Sequence, residues 1–213
     1  MRPDTLAPAR DLHLVAALGP AAVVFDFDGT LVDTSTLNAD AVRASFTELH
    51  LTVPEPWLRD APLADLTALR ERMHHDLGLH LPGTDQQFVA RTRGHWLTLA
   101  HQARPIPRVA ALARSLAGTL PMAVASANDG EVVRAGLAAA DLDGLFRTVV
   151  AREHVARLKP DPDAYLLAAA ELATDPTHCL AFENTPEGIA AALGAGLRVI
   201  DVRDRTWTAT SPR

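Results

Sequence analysis

This 213-residue chain has one cysteine and one lysine. It has no internal repeat, no low-complexity tract and no apolar run near the ~20 residues a bilayer span requires. A lone Cys179 cannot form an internal disulfide. It lies within an apolar run and is expected as a small core residue in a reducing compartment. Residues 12–25, LHLVAALGPAAVVF, have the apolar content of a signal-peptide core, but Asp11 and His13 interrupt its start and it runs straight into a strand-like segment. A cytoplasmic protein, no membrane contact and a monomer are expected. With 48% apolar and 22% charged residues the chain has the composition of a folded globule, which excludes disorder. The formal net charge of −6 argues against a broad nucleic-acid surface.

Short β-rich apolar runs alternate with helical stretches. Residues 21–25, 121–125, 146–150, 178–182 and 197–201 read as strands buried on both faces. Helices are expected at roughly 107–117, 130–140, 162–173 and 186–195. Pro107, Pro162 and Pro186 suit first turns, and Thr185 is placed to cap. Strand–helix–strand repetition gives a Rossmann-like α/β core: a parallel sheet with helices on both faces.

Residues 34–105 break the alternation and contain no strand signal. Leu63, Leu66, Leu69, Met73 and Leu77 recur at helical spacing before Gly78. Thr84 and Gln87 have capping-box spacing, and Pro105 ends that helix. This segment reads as an all-helical cap inserted into a core of residues 1–33 and 106–213, with Met73 and Trp96 in the cap's own core. The tail after Arg203 reads as loose.

Ligands of open α/β sheets bind beyond the carboxyl ends of the strands, so the residues just past each strand carry the functional signal. After residues 21–25 comes Asp26-Phe27-Asp28-Gly29-Thr30. Carboxylates at i and i+2 on a strand end point the same way, and Gly29 lets the chain turn sharply. An EF-hand loop would need its glycine at the sixth position and a glutamate at the twelfth, and an aspartic protease would need Asp-Thr-Gly. After residues 121–125 come Ser126, Ala127 and Asn128; the loop beyond residues 146–150 carries Lys159; after residues 178–182 come Glu183 and Asn184. Each has a plain alternative: a polar turn, a helix cap shared among Ser126, Asn128 and Asp129, a solvated lysine, or a second turn. Together, at four strand ends, they suit a phosphate and a divalent metal. The histidines are scattered, and His74-His75 lack ligand spacing.

FDFDGTLVDT, VASAN, LKPDPDAYLLAAAEL and FENTPEGIAAALGAG, in that order, resemble the four motifs of the haloacid dehalogenase superfamily. The likeness covers nearly the whole chain. It is nearest to the β-phosphoglucomutase-like branch with its inserted helical cap, and in style to that branch's small sugar-phosphate phosphatases. The resemblance implies that Asp26 is the nucleophile forming an aspartyl-phosphate and that Asp28 is the general acid and base. It implies that Lys159, Ser126, Ala127 and Asn128 hold the phosphoryl group. Mg²⁺, with Mn²⁺ as a tolerated substitute, would be held by Asp26, Asp28 through its carbonyl, Glu183 and Asn184. The implied substrate is a small phosphorylated metabolite, over which the cap would close.

Relatives differ at identifiable residues. Dehalogenases lack an aspartate two residues after the nucleophile. Phosphonoacetaldehyde hydrolases need a cap lysine, and residues 34–105 contain none. Mutases usually carry a histidine in the first cap helix, where this chain has Asn38. Arg59 and Arg70 are candidates to grip a sugar or second phosphate, or plain solvated helix charges. A sugar-phosphate mutase and a weakly active phospho-ligand-binding protein remain alternatives. Where the family usually has a second carboxylate in its fourth motif, this chain has Asn184, so weaker metal binding is expected.

Overall fold

The computed structural model describes residues 9–61 and 66–212. The central sheet contains β1 (Ala22–Phe25), β4 (Met122–Ala125), β5 (Thr148–Val150), β6 (Cys179–Glu183), β7 (Arg198–Asp201) and β8 (Ala209–Thr210), in the order β5-β4-β1-β6-β7-β8. All pairings are parallel except β7 with β8. From β1 the chain first builds outward through β4 and β5, then returns to the other side of β1 with β6. In open α/β sheets ligands bind where strand order reverses, which here is beyond the carboxyl ends of β1 and β6.

Side chains alternate between the two faces of the sheet. On one face Ala22, Val24, Ala123, Ala125 and Ala181 pack against α8 (Asp163–Glu171) and α9 (Pro186–Gly194). These small sheet residues let both helices lie close. On the other, Phe25 stacks on Phe182 at 5.1 Å between ring centroids and meets the edge of Phe146 at 5.9 Å. Strands and helices fall where the apolar runs and prolines place them. Pro107 and Pro186 open α6 (Pro107–Leu116) and α9, while Pro162 is the cap residue of α8. Asp129, not Ser126 or Asn128, caps α7 (Gly130–Ala139) through its side chain. Cys179 is buried, and burial pushes its thiol up to about 11.

Two regions depart from the sequence reading. Residues expected only as an apolar lead-in form helix α1 (Ala9–Leu18). The tail expected to be loose is anchored: Trp207 is 2% exposed, edge-on to Phe182 at 5.3 Å, and β8 follows it. The Arg108 guanidinium stacks 3.6 Å from the Trp207 ring. It also forks onto the buried Asp11 carboxylate at 2.6 and 2.8 Å. One arginine thus ties α1, α6 and the tail together, a set of long-range contacts that no local pattern announces.

The chain divides into two compact units, one running to Asp33 and resuming at Ala103, the other covering Thr34–Gln102. The second contains α2 (Ser35–Glu48), α3 (Glu55–Arg59), α4 (Leu66–Leu77) and α5 (Asp85–Leu99). Its own core includes Val42, Phe46, Leu58, Leu69, Met73 and Phe88, and Trp96 is buried. Leu63, the first residue of the expected helical repeat, lies outside the described residues. Thr84 and Gln87 form the capping box of α5. The helical unit stops short of residue 105, because β3 (Arg104–Pro105) pairs antiparallel with β2 (Val32–Asp33) in the first unit. Among the described residues no helix is long and apolar enough to cross a membrane.

Candidate active site

The strand ends converge on one ammonium group. Lys159 Nζ donates to Asp26 Oδ1 at 2.7 Å, to Glu183 Oε1 at 2.6 Å and to the Ala125 carbonyl at 3.1 Å. These partners stand at the ends of β1, β6 and β4, so the lysine spans the switch point. Its side chain is 8% exposed, and a solvated loop lysine is thereby excluded. Sheet register makes the convergence possible: Phe25 pairs with both Val124 and Phe182, so the residues beyond them emerge at one level.

Burial pushes the Asp26 carboxyl up, against the pull of Lys159, to about 7. Burial alone would lower the Lys159 ammonium. The Asp26 and Glu183 carboxylates outweigh it and hold the group well above its ordinary value. Two buried carboxyl groups share one buried cation, so once Asp26 ionises, above its raised value, the strand ends carry a net negative charge.

Glu183 has no exposed surface. Its Oε1 accepts from Lys159 and, at 3.1 Å, from the Tyr165 hydroxyl. Its Oε2 accepts from the backbone N–H of Asn184 and Thr185 and from Thr185 Oγ1 at 2.7, 2.8 and 3.0 Å. The sequence places Glu183 among the metal ligands. Its oxygens are instead engaged by five protein donors, which makes it the counter-ion of Lys159. Gly188 makes this possible, because a Cβ there would overlap the Glu183 carboxylate. Neither Tyr165 nor Gly188 is a site residue on the sequence reading. The traces they leave are a tyrosine six residues after the lone lysine and a glycine in the first turn of α9.

Asn184 faces the turn after β1. Its Oδ1 accepts from Thr30 Oγ1 at 3.2 Å, and its amide lies so close to Gly29 that a Cβ there would collide with it. Gly29 has φ +75°, the left-handed region open to glycine. Asp28 is half-buried and bonds through Oδ2 to Asn128 Nδ2 at 3.4 Å. Ser126 is 1% exposed, and its Oγ accepts from the Asn128 N–H at 3.0 Å, which leaves the hydroxyl proton to donate elsewhere. Ala127 is half-buried in the same loop, its carbonyl held by Arg152 Nε at 3.0 Å. Glu153 takes the Gly130 N–H, so the first turn of α7 is already occupied by a protein carboxylate.

Among the described residues no group of three or more histidine, cysteine, aspartate or glutamate side chains is placed to hold a metal. The donors on hand are one carboxylate, from Asp26, with the Asp28 carbonyl and the Asn184 amide oxygen. Beside an uncompensated negative charge, this oxygen-only set suits a hard ion that keeps several waters, such as Mg²⁺.

In the helical unit, Asn38 Oδ1 accepts from Trp96 Nε1 at 2.9 Å. Arg70 is committed to Asp85, the Leu81 carbonyl and the Gly83 carbonyl at 2.6, 2.5 and 3.0 Å. It ties α4 to the loop before α5. Arg59 is exposed.

Residues 23–202 match the family model described as haloacid dehalogenase-like hydrolase. The fructose-1-phosphate phosphatase YqaB of Escherichia coli (strain K12) is 32% identical over 187 residues, covering 86% of this chain and 96% of its own. CbbY from Rhodobacter sphaeroides in complex with phosphate superposes with a TM-score of 0.74 at 27% identity, covering 85% of each chain. CbbY from the same organism in complex with xylulose-(1,5)bisphosphate also has a TM-score of 0.74, at 25% identity over 88% of this chain and 90% of that one.

Proposed function

The chain belongs to the haloacid dehalogenase-like hydrolases and is a phosphoric monoester hydrolase, and we propose that it hydrolyses a small sugar phosphate with Mg²⁺ through an aspartyl-phosphate. The observation that carries this reading is the Lys159 ammonium bonded at once to Asp26 and Glu183 at the switch point of the sheet. The names of relatives support a sugar phosphate: one is a fructose-1-phosphate phosphatase and another binds a sugar bisphosphate. We place the reaction in the cytoplasm and take the protein as a monomer. The helical unit, residues 34–102 in the structure, is assigned as the cap that sets specificity.

Asp26 attacks phosphorus, and Asp28 gives a proton to the departing sugar oxygen. Water then attacks the phosphoryl group while Asp28, now a base, takes its proton; inorganic phosphate leaves and Asp26 is restored. Lys159 exchanges its bond with Asp26 for one with a phosphoryl oxygen as Asp26 becomes esterified. Its other two bonds, to Glu183 and Ala125, hold the ammonium in place. The Ser126 hydroxyl and the Ala127 N–H serve the remaining phosphoryl oxygens, and the Asn128 N–H exchanges its bond to Ser126 Oγ for one of them. Asp26, the Asp28 carbonyl and Asn184 would hold the metal, and Mg²⁺ bound there would offset the negative charge of Asp26 and of the phosphoryl group. Asn38, an amide whose oxygen is already taken by Trp96, cannot relay a proton. This supports transfer to water over transfer to a second sugar hydroxyl.

The test is inorganic phosphate release from a panel of hexose, pentulose and hexitol phosphates with Mg²⁺. Release from at least one sugar phosphate, absent in Asp26→Asn, is expected. No release with either Mg²⁺ or Mn²⁺ would leave only a phospho-ligand-binding protein. Isomerised sugar phosphate without free phosphate would identify a mutase.

A further inference from the structure

Tyr165 is the only tyrosine in the chain. It lies in the first turn of α8 with no exposed surface, among the alanines and valines that pack the helix against the sheet. Packing alone does not call for its hydroxyl. A phenylalanine has the same ring and no polar atom to satisfy, whereas a buried phenol needs a partner. The partner here is Glu183 Oε1, at 3.1 Å, the oxygen that also takes Lys159 Nζ at 2.6 Å. The tyrosine ring itself has Lys159 Nζ 5.0 Å from its centroid, within reach of a cation–π contact. One side chain therefore touches both members of the buried pair.

Resting on the phosphatase reading, we propose that Tyr165 is a positioning residue of the phosphoryl site, whose hydroxyl shares Glu183 Oε1 with Lys159 and so keeps the ammonium available to Asp26 and the phosphoryl group. The two Glu183 oxygens are held differently. Oε2 is fixed by three donors on the Asn184–Thr185 turn, so the carboxylate cannot rotate away. Oε1 has two donors, and its attraction for Lys159 is shared between them. With the phenol proton removed, Lys159 becomes the sole donor to that oxygen and is drawn toward Glu183. Its bond to Asp26, and to whatever phosphoryl oxygen replaces Asp26, lengthens.

Isothermal titration of inorganic phosphate into the Mg²⁺-loaded protein reads this directly, without turnover. Tyr165→Phe should raise the phosphate Kd about 3–10-fold, the loss expected for weakening one hydrogen bond to a charged group. Leu172→Ala is the comparison: it opens a cavity in the same cluster and touches neither Lys159 nor Glu183. It should lower Tm and leave Kd unchanged. An unchanged Kd in Tyr165→Phe, an equal shift in Leu172→Ala, or failure of Tyr165→Phe to fold would each overturn the inference in favour of a purely structural tyrosine. No phosphate binding by the wild-type protein has a different signature; it would overturn the phosphatase reading and this inference with it.

Discussion

Ion pairs of the helical unit and those at the strand ends of the sheet have matching lengths and opposite surroundings. In the helical unit Arg43 meets Glu55 at 2.7 Å with side chains 41% and 56% exposed, and Arg70 meets Asp85 at 2.6 Å with 28% and 55%. At the strand ends Lys159 meets Asp26 at 2.7 Å and Glu183 at 2.6 Å, with the three side chains 8%, 8% and 0% exposed. Distance therefore does not separate the two kinds. Water screens the first set, which contributes little beyond local bracing. The second has lost its hydration and persists because Lys159 also bonds the Ala125 carbonyl and Glu183 accepts from four further donors. A site of that kind is costly to fold and ready for charge transfer. The contrast marks where chemistry is concentrated in this chain, and the effects of substitution should grade from the buried set to the exposed one.

The largest effect is expected from Lys159→Met, which leaves Asp26 and Glu183 buried without their cation. It should destabilise the protein by about 3–5 kcal/mol in urea unfolding and lower kcat/KM for phosphate release by about 10³-fold or more. Glycines extend the comparison. Gly188→Ala forces a methyl into the Glu183 carboxylate and should cost about 1–3 kcal/mol together with most of the activity. Gly94, inside α5 with open space around its Cβ position, should do the reverse: Gly94→Ala should stabilise by about 0.5–1 kcal/mol.

The pH dependence of stability is a third way to test the buried set. Burial raises the folded-state value of Asp26 to about 7, so the native metal-free protein retains a proton that the unfolded chain has already released. The stability contributed by that proton is complete below the ordinary carboxylate range and is lost as pH rises through about 7. In the absence of metal, the unfolding free energy of wild type relative to Asp26→Asn should therefore fall between pH 5 and 8. A flat difference would show that Asp26 titrates normally. Asn184→Asp comes next. Adding a charge to an otherwise neutral donor should reduce the Mg²⁺ concentration for half-activity by about 3–10-fold, and an unchanged or raised value would remove Asn184 from the metal site. The smallest effect is expected from Arg43→Ala, at about 0.2–1 kcal/mol with kcat/KM unaltered.

Much of the core was legible because the signals for its elements are local. A short β-branched run followed by a Pro-opened helix is written in contiguous residues, as at Val199 and Ile200 in β7 or Thr185-Pro186 at the start of α9. The lone lysine stands out by composition, and its burial against Asp26 and Glu183 agrees with that signal. The features that escape a sequence reading depend on partners far apart in the chain. Helix α1 and the buried Trp207 are held by Arg108, 97 residues after the Asp11 it grips. Glu183 reads as a metal ligand because its type and neighbour suit one. Only Tyr165, Thr185 and the space left by Gly188 reveal that protein donors take up its oxygens. A residue type discloses what chemistry is available, whereas saturation of its hydrogen bonds is a property of the fold.

The most direct test of an aspartyl-phosphate mechanism is to trap the covalent intermediate. Protein turning over a sugar phosphate with Mg²⁺ is quenched in acid, digested and analysed by mass spectrometry. The mechanism predicts a phosphoryl group on the peptide containing Asp26, absent in Asp26→Asn. Phosphate release with no phosphorylated Asp26, or with the group on another residue, would contradict it.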